Sequence, residues 1–365
     1  MKKTIIALAV AAAAAAVATG ANAAEVYNAD GTSVALGGRV EARLQLQDGE
    51  ANDLTRARFN FVGKQQVTDN LYGLAKFETE WSSTTSDGEP DGDSDGDSLT
   101  NRYIYAGIGT QAGEITYGKQ DGALVKLTNF TDIMSTWGKE ASVNSAATDS
   151  DNYVAFANRT DNYLAYNAQF DTLGVSAGYR FADGENSTDG DSKVNNDQDG
   201  YTLALTYGFG DTGVVVGAGY ADQNSNDQTI LATSFTYEDL YLAGLYTHID
   251  YDDNSVDNYD GYEFAAAYTI DKTKLIATYN KGEWGNDTDH SIDTANAISV
   301  EANYFFTPSF IGYVGYRWNL LDGDDVNAST SYSASVTNSG VTSVGSTTDN
   351  VAAQDQAMAG LLYTF

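Results

Sequence analysis

From Asp91 the chain reads D-x-D-x-D-G within "EPDGDSDGDS", the opening of a calcium-binding EF-hand loop. Such a loop needs a bidentate Glu at its twelfth position, because a flexible cation of high coordination number takes two more carboxylate oxygens there. The residue at that count is Arg102, itself a cation. The flanks "LYGLAKFETEW" and "NRYIYAGIG" alternate at period two, as strands do, where an EF-hand requires helices. The run therefore reads as an acidic, Gly/Ser-rich loop between strands, and no dedicated metal site is expected.

Nucleophilic catalysis is the next chemistry to weigh. A triad needs a His bonded to both a Ser and an orienting acid. The chain holds two histidines, His248 at a strand end and His290 in a loop, and neither lies beside a convincing Ser and acid in sequence. Asp250 shares the strand parity of His248 without making a triad. With no Cys, neither disulfides nor thiolate metal sites operate. A hydrolase is thus disfavoured, and no cofactor is called for.

The arginines are more informative. Arg39, Arg56, Arg58 and Arg102 fall on the polar parity of the first, second and fourth alternating segments, where strand pairing could gather them into one cluster. In lipid such a cluster would be prohibitively costly, so its side of the sheet is water-filled or paired. Structural alternatives exist for single residues: Arg56 with Asp53, or Arg43 with Glu41 or an acid of a neighbouring strand. Arg159, Arg180 and Arg317 share the inward parity nearer loops, where solvation would suffice.

The elements that position these groups are strands. Val40, Ala42, Leu44 and Leu46 alternate with Arg39, Glu41, Arg43 and Gln45, and the pattern runs on to the final "DQAMAGLLYTF". About sixteen segments of roughly ten residues recur, the length of a strand tilted across a bilayer. Tight separators such as "VTDN", "DTLG" and "TPS" alternate with long polar ones. That is the rim asymmetry of an outer-membrane barrel. A soluble β-sandwich also alternates, but would not need so many Tyr near strand ends; Tyr103, Tyr105, Tyr207, Tyr220, Tyr268, Tyr279 and Tyr363 fit interfacial girdles instead.

Residues 1–23 combine "MKK", an apolar Ala-rich stretch and an A-x-A site at Ala21-Asn22-Ala23, a secretory signal; the apolar run is short for a membrane anchor. The mature domain is then 24–365. Removing Lys2 and Lys3 and no acid turns the formal charge of -32 into about -34, which excludes nucleic acid as a partner.

In the order and spacing of its pieces the chain resembles the general-diffusion porins of Gram-negative bacteria. "AEVYNADGTSVALGGRVEARL" resembles their first strand, "LTRARFNFVGK" the second, "TNRYIYAGIG" the fourth and "ITYGKQDG" the fifth, and the terminal Phe365 with Tyr363 and Leu361 resembles their C-terminal assembly signal. The resemblance implies an all-β, transmembrane antiparallel barrel of about sixteen strands, in the outer membrane and reached through the periplasm. It implies a homotrimer, recognition by the barrel-assembly machinery, contact with outer-membrane lipid and lipopolysaccharide, and passive diffusion of small hydrophilic solutes and ions.

The third long loop, residues 122–152, carries "ALVKLTNFTDIMSTWGKE", more apolar side chains than an exposed loop would hold. The resemblance implies that it folds into the lumen as a constriction. It matches Arg39, Arg58 and Arg102 to the family's basic wall and Asp132 to an acid on the loop. Thr136 stands where a second acid is expected, with Glu140 nearby, and Trp137 reads as a packing anchor. Acids crowded at Asp87–Asp97 and Asp183–Asp199 would make the outer mouth cation-attracting, with weak divalent-cation bridging to lipopolysaccharide phosphates as a further use. A substrate-selective channel and a loop-mediated adhesin or receptor are the alternatives.

Overall fold

The computed structural model describes residues 23–82, 98–142, 154–182, 199–223, 226–251, 258–285, 291–321 and 354–365. Residues 1–22, the acids of 87–97 and those of the 183–199 run before Asp199, His290 and residues 143–152 of the third loop lie outside them.

Eighteen strand segments form one antiparallel sheet. They are β1 (Ala24–Ala29), β2 (Thr32–Gln47), β3 (Glu50–Asp53), β4 (Arg56–Thr68), β5 (Leu71–Ser82) and β6 (Ser98–Thr110). β7 (Gly113–Asp121), β8 (Arg159–Phe170), β9 (Leu173–Arg180), β10 (Gly200–Gly208), β11 (Val214–Gln223) and β12 (Asn226–Tyr237) follow. The rest are β13 (Leu240–Asp250), β14 (Asn258–Ile270), β15 (Thr273–Gly285), β16 (Ser291–Thr307), β17 (Phe310–Asn319) and β18 (Gln356–Thr364). β3 and β4 lie end to end along one edge of β2, broken at Leu54 and Thr55, while β1 and β18 lie end to end along the other. The eighteen segments are therefore sixteen barrel strands.

Closure is completed by the last residue. β18 pairs with β2 as far as Thr364 against Arg39, and the Phe365 and Gly38 backbones exchange hydrogen bonds of 2.9 and 3.0 Å. No edge is left, which is what a sheet in hydrocarbon requires. Two-residue links at 69–70, 111–112, 171–172, 238–239, 271–272 and 308–309 lie at one rim, and the long connections at the other.

Two readings of the sequence need correction. "AEVYNADGTSVALGGRVEARL" is not one strand: Asp30 and Gly31, at φ of 54° and 74°, form a hairpin turn inside it, and β1 folds back on β2. Tyr103 and Tyr105 do not belong to a girdle. The pairing of β5 with β6 shifts between Glu78–Tyr103 and Thr79–Asn101, leaving Arg102 in a bulge. The bulge turns both Arg102 and Tyr103 inward, and Tyr103 is buried with its hydroxyl donating to Asp121 at 2.8 Å. Tyr207, Tyr220, Tyr268 and Tyr363 do face outward, among an exposed band of Leu, Ile, Val and Phe suited to lipid.

Candidate functional site

Register builds the basic wall. Arg39 stands opposite Arg58, Arg58 opposite Glu80, and Glu41 opposite Arg56, so β2, β4 and β5 present a checkerboard toward the lumen. The Arg56 Nε donates to Glu41 at 2.6 Å, with Arg39 at 3.5 Å and Arg43 at 4.0 Å from the same carboxylate. The Tyr313 hydroxyl donates to Glu41 as well, at 2.6 Å. Arg58 pairs with Glu80, and Arg102 bridges Glu78 at 2.8 Å and Glu80 at 3.6 Å. Lys76 sits 3.9 Å from Glu78 and 3.9 Å from the Tyr103 ring centre.

All four arginines expected in the wall are thus brought together. What the sequence reading missed is their neutralisation: six cations, Arg39, Arg43, Arg56, Arg58, Arg102 and Lys76, share three carboxylates, Glu41, Glu78 and Glu80. Half of the wall charge is answered within the wall. Arg56 pairs with Glu41, not with Asp53, whose carboxylate accepts from the Thr55 amide at 2.8 Å. The signal for Glu41 was its parity with Arg39 and Arg43; for Glu78 and Glu80 it was the alternation of β5.

The third loop folds into this lumen. After Gly122 it makes one short helix, α1 (Val125–Thr128), against β10, β11 and β12. Leu124 and Leu127 are fully buried there, each such side chain contributing about 1.5–3 kcal/mol. The wall makes room with glycine: a Cβ on Gly217 would sit 2.4 Å from Leu127, and one on Gly219 2.5 Å from Leu124.

Beyond α1 the loop is held by two buried wall carboxylates that sequence reasoning did not single out. Glu301 of β16 accepts from the Ser135 amide at 2.9 Å, the Thr136 amide at 2.8 Å and the Thr136 hydroxyl at 2.5 Å. Glu263 of β14 accepts from the amides of Ala141 at 3.0 Å and Ser142 at 2.7 Å and from the Thr131 hydroxyl. Several donors converging on a carboxylate offset its desolvation. Neither acid could be matched to the loop from sequence, since each lies more than a hundred residues away.

Of the expected loop residues, Asp132 pairs with Lys139 of its own loop at 3.7 Å. Glu140 pairs with Arg317 of β17 at 2.6 Å and accepts from Asn280 of β15 at 3.4 Å. Burial holds the Glu140 carboxyl above its ordinary value, against the opposing pull of Arg317. Trp137 is buried and donates to Gln356 at 2.8 Å, an anchor as its type suggested. Arg180, expected to be solvated, is buried and pairs with Asp161 at 3.1 Å. His248 has its ring nitrogens 2.9 Å from Asp260 and 3.2 Å from Asp250, so both are engaged by acids.

A sixteen-stranded barrel is too wide for side chains to fill. The arrangement is therefore a water-filled passage with a charged wall and an inward loop, which can admit small polar solutes. Known proteins agree. The sequence profile of the Gram-negative porin family matches residues 7–324. "Outer membrane protein U" of Vibrio parahaemolyticus is 46% identical over 326 residues, 89% of this chain and 92% of that one. "Porin-like protein L" of Photobacterium profundum is 38% identical, covering 89% and 94% of the two chains. Among solved structures, Salmonella typhi OmpF in complex with daunomycin superposes with a TM-score of 0.73 at 24% identity, over 94% of this chain and 100% of that one, a likeness of fold. The chain belongs to the Gram-negative porin family and is an outer-membrane barrel for the passive diffusion of small hydrophilic solutes and ions.

Proposed function

We propose that this porin prefers cations, with Arg39, Arg56, Arg58 and Arg102 as the basic side of its constriction and Asp132 and Glu140 on the opposing loop. The observation that carries the reading is the interleaving of Glu41, Glu78 and Glu80 among the wall cations, which leaves a net excess of three positive charges where six stand. The chain as a whole carries -32. A weakened positive barrier inside a strongly acidic protein favours cation entry. Passage through the channel requires no cofactor or catalytic step.

The working form is a homotrimer in contact with outer-membrane lipid and lipopolysaccharide, delivered by the barrel-assembly machinery after loss of residues 1–23. In favour of the trimer, a solved structure of Vibrio cholerae OmpT with a TM-score of 0.66 is described as a trimer form. The test is single-channel recording in planar bilayers. Stable conductance that rises nearly in proportion to salt, with a reversal potential on the cation side under a KCl gradient, is expected. A folded protein silent in bilayers would remove the channel reading, and anion selectivity at low salt would remove the cation preference.

A further inference from the structure

We infer that Arg43, besides adding its charge to the wall, positions the constriction loop and so sets the size of solute that passes. The inference rests on the channel reading above. Arg39, Arg56, Arg58 and Arg102 lie against the carboxylates of Glu41, Glu78 and Glu80. Arg43 differs: its nearest carboxylate contact is 4.0 Å, to Glu41, too long for a hydrogen bond. Its Nη2 donates instead to the carbonyls of Ser135 at 2.6 Å and Thr136 at 2.5 Å, and its Nε to the Met358 Sδ at 2.9 Å.

The amides of the same two residues donate to Glu301, at 2.9 and 2.8 Å. Ser135 and Thr136 therefore show their carbonyls to β2 and their amides to β16, and are gripped across β17 and β18, which lie between those strands. Trp137 seats the next residue on the same wall, its ring where a Cβ on Gly315 would come within 2.9 Å.

Regular structure does not hold this stretch. Among the described residues, 134–142 make no backbone–backbone hydrogen bond. Their position comes from the side chains that reach them. Without Arg43, Ser135 and Thr136 would be held from the β16 side alone, by Glu301, between the anchors at α1 and Trp137. Arg43 supplies the opposing hold, and it suits the task because a guanidinium is a rigid fork of donors. A Lys keeps the charge but offers no such fork. Charge and position can therefore be separated by substitution.

The experiment compares wild type, Arg43→Lys and Arg43→Gln in planar bilayers and in liposome swelling with neutral saccharides of increasing size. Loss of charge-assisted hydrogen bonds should raise the occupancy of a second conductance level about tenfold in both variants. Both should also admit larger neutral saccharides than wild type, while the K⁺/Cl⁻ permeability ratio of Arg43→Lys stays at the wild-type value. If Arg43→Lys matches wild type throughout and Arg43→Gln changes only the ratio, Arg43 acts as a charge and the inference is wrong. Should Arg43→Gln fail to fold by circular dichroism, Glu301→Gln loosens the amide side of the same grip and should enlarge the size limit as Arg43→Lys does. An unchanged limit in both would equally overturn it. A silent wild type would bring down the channel reading itself, whereas a conducting wild type with unaltered variants removes only the role of Arg43.

Discussion

Glu41→Gln tests the checkerboard wall most directly. The carboxylate is 1% exposed and lies within 4.0 Å of three guanidiniums. Glutamine can still accept from Arg56 and Tyr313, so the barrel should fold, at a cost of about 1–3 kcal/mol from weakened charged hydrogen bonds. The net wall charge rises from three to four. For an ion passing at about 7 Å, at an effective dielectric of about 40–80 and with screening over about 8 Å, one added charge changes the energy by about 0.25–0.5 kcal/mol. The change is unfavourable to K⁺ and favourable to Cl⁻, so the permeability ratio moves by twice that amount, about two- to fivefold toward anions. Reversal potentials across a KCl gradient read this ratio, and circular dichroism confirms the fold. A folded variant whose ratio is unchanged, or shifts toward cations, would refute the claim that Glu41 answers the arginines on behalf of passing ions.

Asp132→Asn should lower cation preference at every salt concentration, because the proposed constriction places that carboxylate at close range to passing ions. Neutralising the acids of 87–97 and 183–199 should lower it only in dilute salt, where their field reaches beyond a screening length; equal salt dependence of the two variants would count against the distinction. Deleting Phe365 should leave the protein in the periplasm or degraded, since its backbone bonds to Gly38 complete closure, and normal outer-membrane levels on fractionation would contradict this. Because burial raises the Glu140 carboxyl, it takes up its proton at a higher pH than a free glutamate as the medium is acidified. Cation preference should therefore fall on mild acidification in wild type and less so in Glu140→Gln, measured again by reversal potential.

Alternation alone was enough to read the barrel, because one lipid face and one wet face impose period two along every strand. The inward parity of Arg39, Arg56 and Arg58 followed at once. Arg102 was harder: strict alternation would send either it or Tyr103 outward, and only the bulge, a feature of pairing and not of one strand, brings both inside. The partners of the arginines depend on register between strands, which is why sequence proximity points Arg56 to Asp53 where the register pairs it with Glu41. The apolar density of the third loop announced that it must dock. Where it docks is set by Glu263 and Glu301, contributed by strands far along the chain and visible only once the sheet has curled shut.

The seam carries a consequence for how this chain could be cut and rejoined. Ala24 pairs with Leu36 and Thr364 with Arg39, so the first and last strands occupy one continuous track along β2. A Cβ on Gly38 would sit 2.7 Å from the Phe365 ring. Ala24 and Phe365 thus lie near one another along β2, and a linker of a few residues would join them without disturbing a rung of the ladder. A circular permutant opened at another turn would place the final strand to be synthesised elsewhere on the circumference. The identity of the closing strand is thus a property of chain order and not of the barrel's architecture.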